Sequence, residues 1–287
     1  MRTLVHLSDL HFGRIDAATL DPLISTVASV DPDVVVVSGD LTQRAKTSEY
    51  RAARAFLERL PKPQIVVPGN HDVPLYRVWE RFLSPLGKYM RHISADLEPA
   101  FIDEEIAVLG MNTARSLTFK GGRVNQEQIA AIHRRLDPLP EGLTKIIVTH
   151  HPFDLPDKGD DVDLVGRARL AMTAFSSCGV DLLLAGHFHT SQVGSTARRY
   201  EVPGYAALAV QAGTATSTRG RGEMNSFNVL RVSGDDVSVE PQVWRPEAGV
   251  FEAQTPERFR REAGRWIEVS GTLPFSPPAP DPAAAAT

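Results

Sequence analysis

The sequence holds a single cysteine, Cys178, in 287 residues. An intramolecular disulfide is therefore impossible and a four-cysteine zinc site is excluded, while a lone thiol fits a reducing compartment. Long apolar runs are also missing, for no stretch approaches the ~18 residues of a membrane-spanning helix. Met1-Arg2-Thr3 leads at once into a strand-like Leu4-Val5, which leaves no room for a signal peptide. A cytoplasmic location is expected. There is no excess of positive charge either, since Lys+Arg number 31 against 35 Asp+Glu, a formal net charge of −4. A dedicated duplex-DNA binder draws its affinity from Lys and Arg meeting phosphates, so stable duplex binding is not expected. What remains, 42% hydrophobic and 23% charged, describes a globular chain long enough to bury a core without disulfides or a structural metal.

The first 190 residues alternate. Short β-branched runs at 4–7, 34–37, 65–67, 146–149 and 182–185 each end in a polar loop. Between them lie segments of helical period. Leu20, Leu23, Ile24 and Val27 share one face, as do Tyr50, Ala53, Leu57 and Leu60. Ile129, Ile132 and Leu136 follow an Asn125-x-x-Gln128 start that has the form of a capping box. Strands apolar throughout and separated by helices predict βαβ crossovers and burial on both faces. After residue 190 the runs at 191–200, 206–213, 226–232 and 237–243 read as strands between Gly/Pro turns. An α/β chain of this kind predicts two sheets packed face to face with helices outside, in one domain over residues 1–271. Residues 73–105 are less regular and read as an inserted helical flap. Residues 256–267 read as an amphipathic, basic C-terminal helix, and the Pro/Ala-rich tail 272–287 as disordered.

The chemistry gathers at the ends of five runs: Asp9-Leu10-His11, Gly39-Asp40, Gly69-Asn70-His71-Asp72, His150-His151 and Gly186-His187-Phe188-His189. Oxygen and imidazole donors suit divalent ions such as Mn, Fe, Co or Zn. In an extended segment residues i and i+2 point the same way, so Asp9 with His11 and His187 with His189 are expected to converge. Only one of the adjacent His150 and His151 should ligate. Each fragment has an ordinary structural explanation, Gly69-Asn70 as a turn for instance. Five of the nine histidines sit in these loops as proposed actors, and accident is a poor explanation for that.

The ordered set resembles the calcineurin-like metallophosphoesterase superfamily, whose signature runs Asp-x-His, Gly-Asp, Gly-Asn-His-Asp/Glu, His, Gly-His-x-His. The match covers residues 9 to 189. The resemblance implies a four-layer αββα sandwich of two mixed β-sheets flanked by helices, with two metals at the carboxyl ends of the strands. It further implies that Asp9, His11 and His189 hold one ion, that Asn70, His150 and His187 hold the other, and that Asp40 bridges them. His71 takes the part of the histidine that contacts phosphate and assists the leaving oxygen. Asp72 and His151 are not ligands in that pattern. Two divalent ions, two carboxylates and a bridging hydroxide leave a net positive pocket for an anionic ester. In-line hydroxide attack on phosphorus is the implied reaction.

Gly39-Asp40-Leu41-Thr42, Pro68-Gly69-Asn70-His71-Asp72 and His150-His151-Pro152 look most like bacterial class III cyclic-nucleotide phosphodiesterases. The expected substrate is therefore a small phosphodiester or nucleotide, such as cAMP. The basic segment 256–267, together with the aromatic-rich flap at 73–105 as a cover for an acyl chain, supports an alternative, a lipid pyrophosphate hydrolase of the UDP-2,3-diacylglucosamine type with peripheral membrane contact. A DNA repair nuclease and a non-catalytic scaffold stand further back, and a homodimer is open. Arg14, Arg44, Arg115 and Arg123 are the basic residues expected near the site, and Asn112 is a weaker candidate for substrate contact.

Overall fold

The computed structural model describes residues 1–117, 121–155, 164–219 and 222–270. The expected tail, 272–287, lies outside the described residues. Two sheets form from the alternating runs. In chain order the first part contributes β1 (Arg2–Leu7), α1 (Leu20–Val30), β2 (Val34–Ser38), α2 (Thr47–Leu57) and β3 (Gln64–Val67). Then follow α3 (Val78–Leu83), α4 (Gly87–His92), β4 (Ala100–Ile102), β5 (Ile106–Gly110), α5 (Gln126–Leu136) and β6 (Thr144–Val148). The chain continues with α6 (Ala168–Cys178), β7 (Leu182–Ala185), β8 (Gln192–Ser195), β9 (Leu208–Gln211), β10 (Ser226–Ser233) and β11 (Asp236–Arg245). It closes with β12 (Val250–Ala253), β13 (Glu257–Glu262) and β14 (Arg265–Glu268).

One sheet has the order β14-β13-β11-β10-β1-β2-β3, with β12 on β11; the other runs β4-β5-β6-β7-β9-β8. The central strands of both, β1-β2-β3 and β5-β6-β7-β9, are parallel. Parallel strands need a covering on each face, and their sequence supplies it: β2 is Val34 to Val37 and all four are buried. Alternate residues divide the burial. Leu4, Val34, Val36, Val108, Ile146 and Leu184 fill the space between the sheets. Val5, Val35 and Val37 pack outward with Leu23, Val27, Tyr50 and Ala53 of α1 and α2. Ala107, Ile147 and Leu183 do the same with α5 and α6. The result is the four-layer αββα sandwich.

Local chemistry sets the helix ends. Asn125 Oδ1 accepts the Gln128 backbone N–H at 2.8 Å while Gln128 Oε1 takes the Asn125 N–H at 3.2 Å, a reciprocal cap. α6 stops at Gly179, whose φ of +65° is open to glycine. The segment 73–105 divides in two. Tyr89 of α4 is fully buried and donates its hydroxyl to Val66 O at 2.9 Å. α3 instead presents Trp79, 81% exposed, to solvent.

The C-terminal helix expected at 256–267 is not one. β13 and β14 form an antiparallel hairpin, with Glu262 opposite Arg265 and Ala263-Gly264 as a two-residue turn at φ +48° and +77°. Phe259 and Trp266 share a face at helical spacing, but they share one equally well across a hairpin, and both enter the core between the sheets. Gly264, costly inside a helix, fits the turn. The basic side chains are tied to acids of the same chain: Arg260 to Asp236 at 2.7 Å and Arg261 to Asp181 at 2.6 Å. Among the described residues no helix is long and apolar enough to cross a membrane.

Candidate metal centre

All five loaded loops leave the carboxyl ends of parallel strands at one pole of the two sheets. They are stitched together there by their backbones. Asp9 N donates to Gly39 O at 3.1 Å, His11 N to Asp40 O at 2.9 Å, and Gly186 N to His150 O at 3.1 Å. Close approach demands glycine at two of these points. A Cβ on Gly69 would stand 2.1 Å from Asp40 Oδ1, and one on Gly186 would stand 1.8 Å from Ser8 Oγ.

The side chains do not converge by extended-strand alternation. Asp9, His11, Asp40, His187 and His189 all have positive φ, between +50° and +78°. Non-glycine residues in that region cost about 1 kcal/mol or more each, and such strain concentrates at functional sites. One consequence corrects the expected pairing. Asp9 and His11 do meet, but His187 and His189 turn into different groups.

In the first group Asp9 Oδ1 lies 3.1 Å from His189 Nε2 and 3.5 Å from His11 Nε2, and the two ring nitrogens are 3.2 Å apart. In the second, His150 Nε2 lies 3.0 Å from Asn70 Oδ1, 3.2 Å from His187 Nδ1 and 3.4 Å from Asp40 Oδ1. Asp40 Oδ2 faces the other way, 3.7 Å from His11 Nε2. One carboxylate therefore addresses both groups.

The donor set fits a pair of divalent ions. Atoms ~2.1 Å from one ion stand roughly 3.0–3.4 Å apart along the edges of its coordination shell. The spacings of the second group and those of His189 fall in that range, while His11 stands slightly wider of the two carboxylates, at 3.5 and 3.7 Å. Asp9 Oδ1 is buried and makes no hydrogen bond, whereas its Oδ2 accepts from Ser8 Oγ at 2.7 Å and from His187 N at 2.9 Å. One oxygen is anchored and the other is left for a cation. His150 and His189 are aimed in the same way. A carbonyl can only accept, so Nδ1–H of His150 donates to Ser38 O at 2.8 Å and that of His189 to Arg219 O at 3.2 Å. Both Nε2 atoms then point lone pairs inward.

Electrostatics agree. Burial opposes ionisation of Asp9 and Asp40, but the surrounding imidazoles outweigh it and hold both carboxyls well below their usual range. His187 is pushed down to about 3, by burial first and by His150 second, and so stays neutral as a ligand must. Burial also lowers His150, yet Asp40 outweighs it and raises the group to about 9.

The remaining predicted residues have supporting places. Asp72 accepts N–H bonds from Gly69 at 2.9 Å, Leu41 at 3.1 Å and Thr42 at 2.9 Å, tying the Asn70 loop to the Asp40 loop. Burial, and then the charge of Asp40, raise it to about 6. His151 is fully buried, with Nδ1 2.8 Å from Thr113 Oγ1 and its ring against His187. His71 sits beside the His11 ring at 4.9 Å and donates Nδ1–H to Gln43 O at 2.9 Å. Its Nε2 receives Arg219 Nη1 at 3.1 Å. Arg115 is not at the site, for it binds the carbonyls of Asn112 and Ala114 and the Gln128 side chain. Asn112 caps its own turn through Ala114 N. Arg219 was not anticipated. It lies beyond the last motif in a stretch without hydrophobic period, and nothing local distinguishes it from a surface arginine.

A family model for calcineurin-like phosphoesterases matches residues 2–191. The chain belongs to that family. Among curated relatives, a probable glycerophosphodiester phosphodiesterase from Arcobacter nitrofigilis is 27% identical over 55% of this chain and 57% of its own. A cAMP/cGMP dual specificity phosphodiesterase from Mycobacterium tuberculosis is 28% identical over 93% of this chain and 88% of its own. The chain spans less than three-fifths of the length of the two glycerophosphodiester phosphodiesterases it matches. Of solved structures, a dimetal phosphatase from Danio rerio superposes with a TM-score of 0.62 at 14% identity, over 84% of this chain and 96% of that one. A purple acid phosphatase from yellow lupin gives 0.66, also at 14%, over 88% of this chain and 52% of its own. Both show likeness of fold.

Proposed function

We propose that the chain is a metal-dependent phosphodiesterase of small diesters, cyclic nucleotides such as cAMP among them, working in the cytoplasm. The observation that carries the reading is Asp40, whose two oxygens face the two donor groups within 3.4 and 3.7 Å of a histidine nitrogen. Asp9, His11 and His189 would hold one ion, Asn70, His150 and His187 the second, and Asp40 both. Mn, Fe or Zn suits this mixture of imidazole and oxygen donors. When bound, the ions supply a water acidified towards neutral pH and positive charge for the phosphoryl oxygens.

The chain's own groups do the rest. Ser38 O, Arg219 O and Ser8 Oγ fix the orientation of His150, His189 and Asp9 before substrate arrives. His71 keeps Nδ1–H on Gln43 O and is neutral at rest, its pKa lowered first by burial, so the proton it would offer a leaving oxygen is one taken up from water at Nε2. Arg219 holds that Nε2 and would hand it over on substrate binding.

The cyclic-nucleotide preference draws on the mycobacterial relative, aligned over most of both chains. The lipid pyrophosphate alternative rested on an amphipathic helix at 256–267 together with the aromatic flap at 73–105; the first of these is a β-hairpin in which Arg260 and Arg261 are paired with acids. The test is release of p-nitrophenol from bis-p-nitrophenyl phosphate with added Mn, then with EDTA, followed by cAMP, cGMP and glycerophosphodiesters. Metal-dependent release is expected. An inert, fully metal-loaded protein would leave only the scaffold reading.

A further inference from the structure

The metal centre has a second positive feature beside it. Arg14, Arg44 and Arg219 come from three separate loops, and Arg14 and Arg44 lie close enough to repel the charge of Arg219. None of the three guanidinium groups pairs with a carboxylate among the described residues. Elsewhere on the surface Arg54, Arg59 and Arg77 each hold an acid within 2.8 Å. A cavity of about 240 Å³ is lined by Asn70 and His71 at the metal side and by Gln43, Leu75, Arg44 and Arg219 beyond. Arg44 also borders the adjoining cavity of about 570 Å³, its guanidinium lying 5.6 Å over the ring of Tyr76.

The charge exceeds what one diester needs. A phosphodiester carries a single negative charge, and two bound ions would already meet it. Unpaired guanidinium groups repelling one another are costly unless an anion joins them, and a phosphate monoester accepts their paired N–H bonds well. We infer that Arg44 and Arg219, with Arg14 at the rim, form a second anion subsite, so that the preferred substrate is a phosphodiester bearing a phosphate monoester one unit from the scissile bond. A dinucleotide with a terminal phosphate has that form. Hydrolysis adds one water across one P–O bond, giving a phosphomonoester and an alcohol, and the second phosphate leaves unchanged. The inference rests on the phosphodiesterase reading above.

The experiment compares the dinucleotide ApA with its 5′-phosphorylated form pApA on the Mn-loaded protein, with bis-p-nitrophenyl phosphate alongside. The KM for pApA should be lower than that for ApA by about tenfold or more, the scale of one charged hydrogen-bond pair. Arg44→Gln and, separately, Arg14→Gln should shrink that ratio towards one, and Arg44→Lys should restore part of it. Both residues are exposed on loops, so folding is not at stake. Equal KM values, or a ratio that Arg44→Gln leaves intact, would overturn the subsite while the diesterase activity stood. If all three substrates resist the loaded protein, the phosphodiesterase reading falls and the subsite with it.

Discussion

The floor and the rim of this site are built on opposite principles. On the floor, Asp9, His11, Asp40 and His150 are all but sealed from solvent, and Asp9 and His150 are anchored by hydrogen bonds behind them. The backbones of Asp9, His11 and Asp40 bend through left-handed φ values and are laced together by hydrogen bonds. At the rim, Arg14, Arg44, Tyr76 and Trp79 stand in solvent on short loops and the six-residue α3. A buried constellation tolerates almost no change because every donor also supports its neighbour. The rim can vary one residue at a time.

The comparison can be broken most forcefully at Asp40. Asp40→Ala should reduce metal-dependent turnover to background and lower bound metal measured by elemental analysis; turnover at the wild-type rate would remove its bridging role. Phe259→Ala tests a site-remote core position, where loss of a buried ring should cost about 3–5 kcal/mol in chemical denaturation. Its kcat per folded molecule should hold, which would locate the hairpin's contribution in the fold alone.

Asp72→Asn is a subtler break. It keeps the shape but turns an amide NH2 towards backbone N–H donors, leaving donors facing donors. A loss of about 10–100-fold in activity or metal affinity is expected, as for other groups that orient ligands. A variant indistinguishable from wild type in both would show that the two loops hold their positions without it. Smallest of all should be Trp79→Ser on the exposed face of α3. Stability should move by less than about 0.5 kcal/mol and the turnover of cAMP hardly at all. A large fall in the latter would bring α3 into the working part of the molecule.

Much of the floor was legible in the residues themselves. β-branched runs buried on two faces leave little choice but parallel strands, and residues that follow such strands must emerge at one end of a sheet. The helical faces at Leu23 and Val27, at Tyr50 and Ala53, and at Ile129 and Ile132 are likewise where their period puts them. Reading failed where period alone was ambiguous. Phe259 and Trp266 suit one face of a helix and also one face of a hairpin, and only the ladder between β11 and β13 decides. The i, i+2 rule assumes extended backbone, which neither pair has: with left-handed φ at all four residues, Asp9 and His11 still meet while His187 and His189 part.

Sequence by itself determined which chemical groups are present, their order, and the strands that deliver them, because hydrophobic period and donor type are local properties. Tertiary structure alone decided which donors face one another across two sheets. It turned one oxygen of Asp9 to a serine and left the other bare, set Asp40 between two groups, and drew Arg219 to His71 from 148 residues away. Those are relations between distant parts of the chain, and they exist only once the apolar faces have closed on each other.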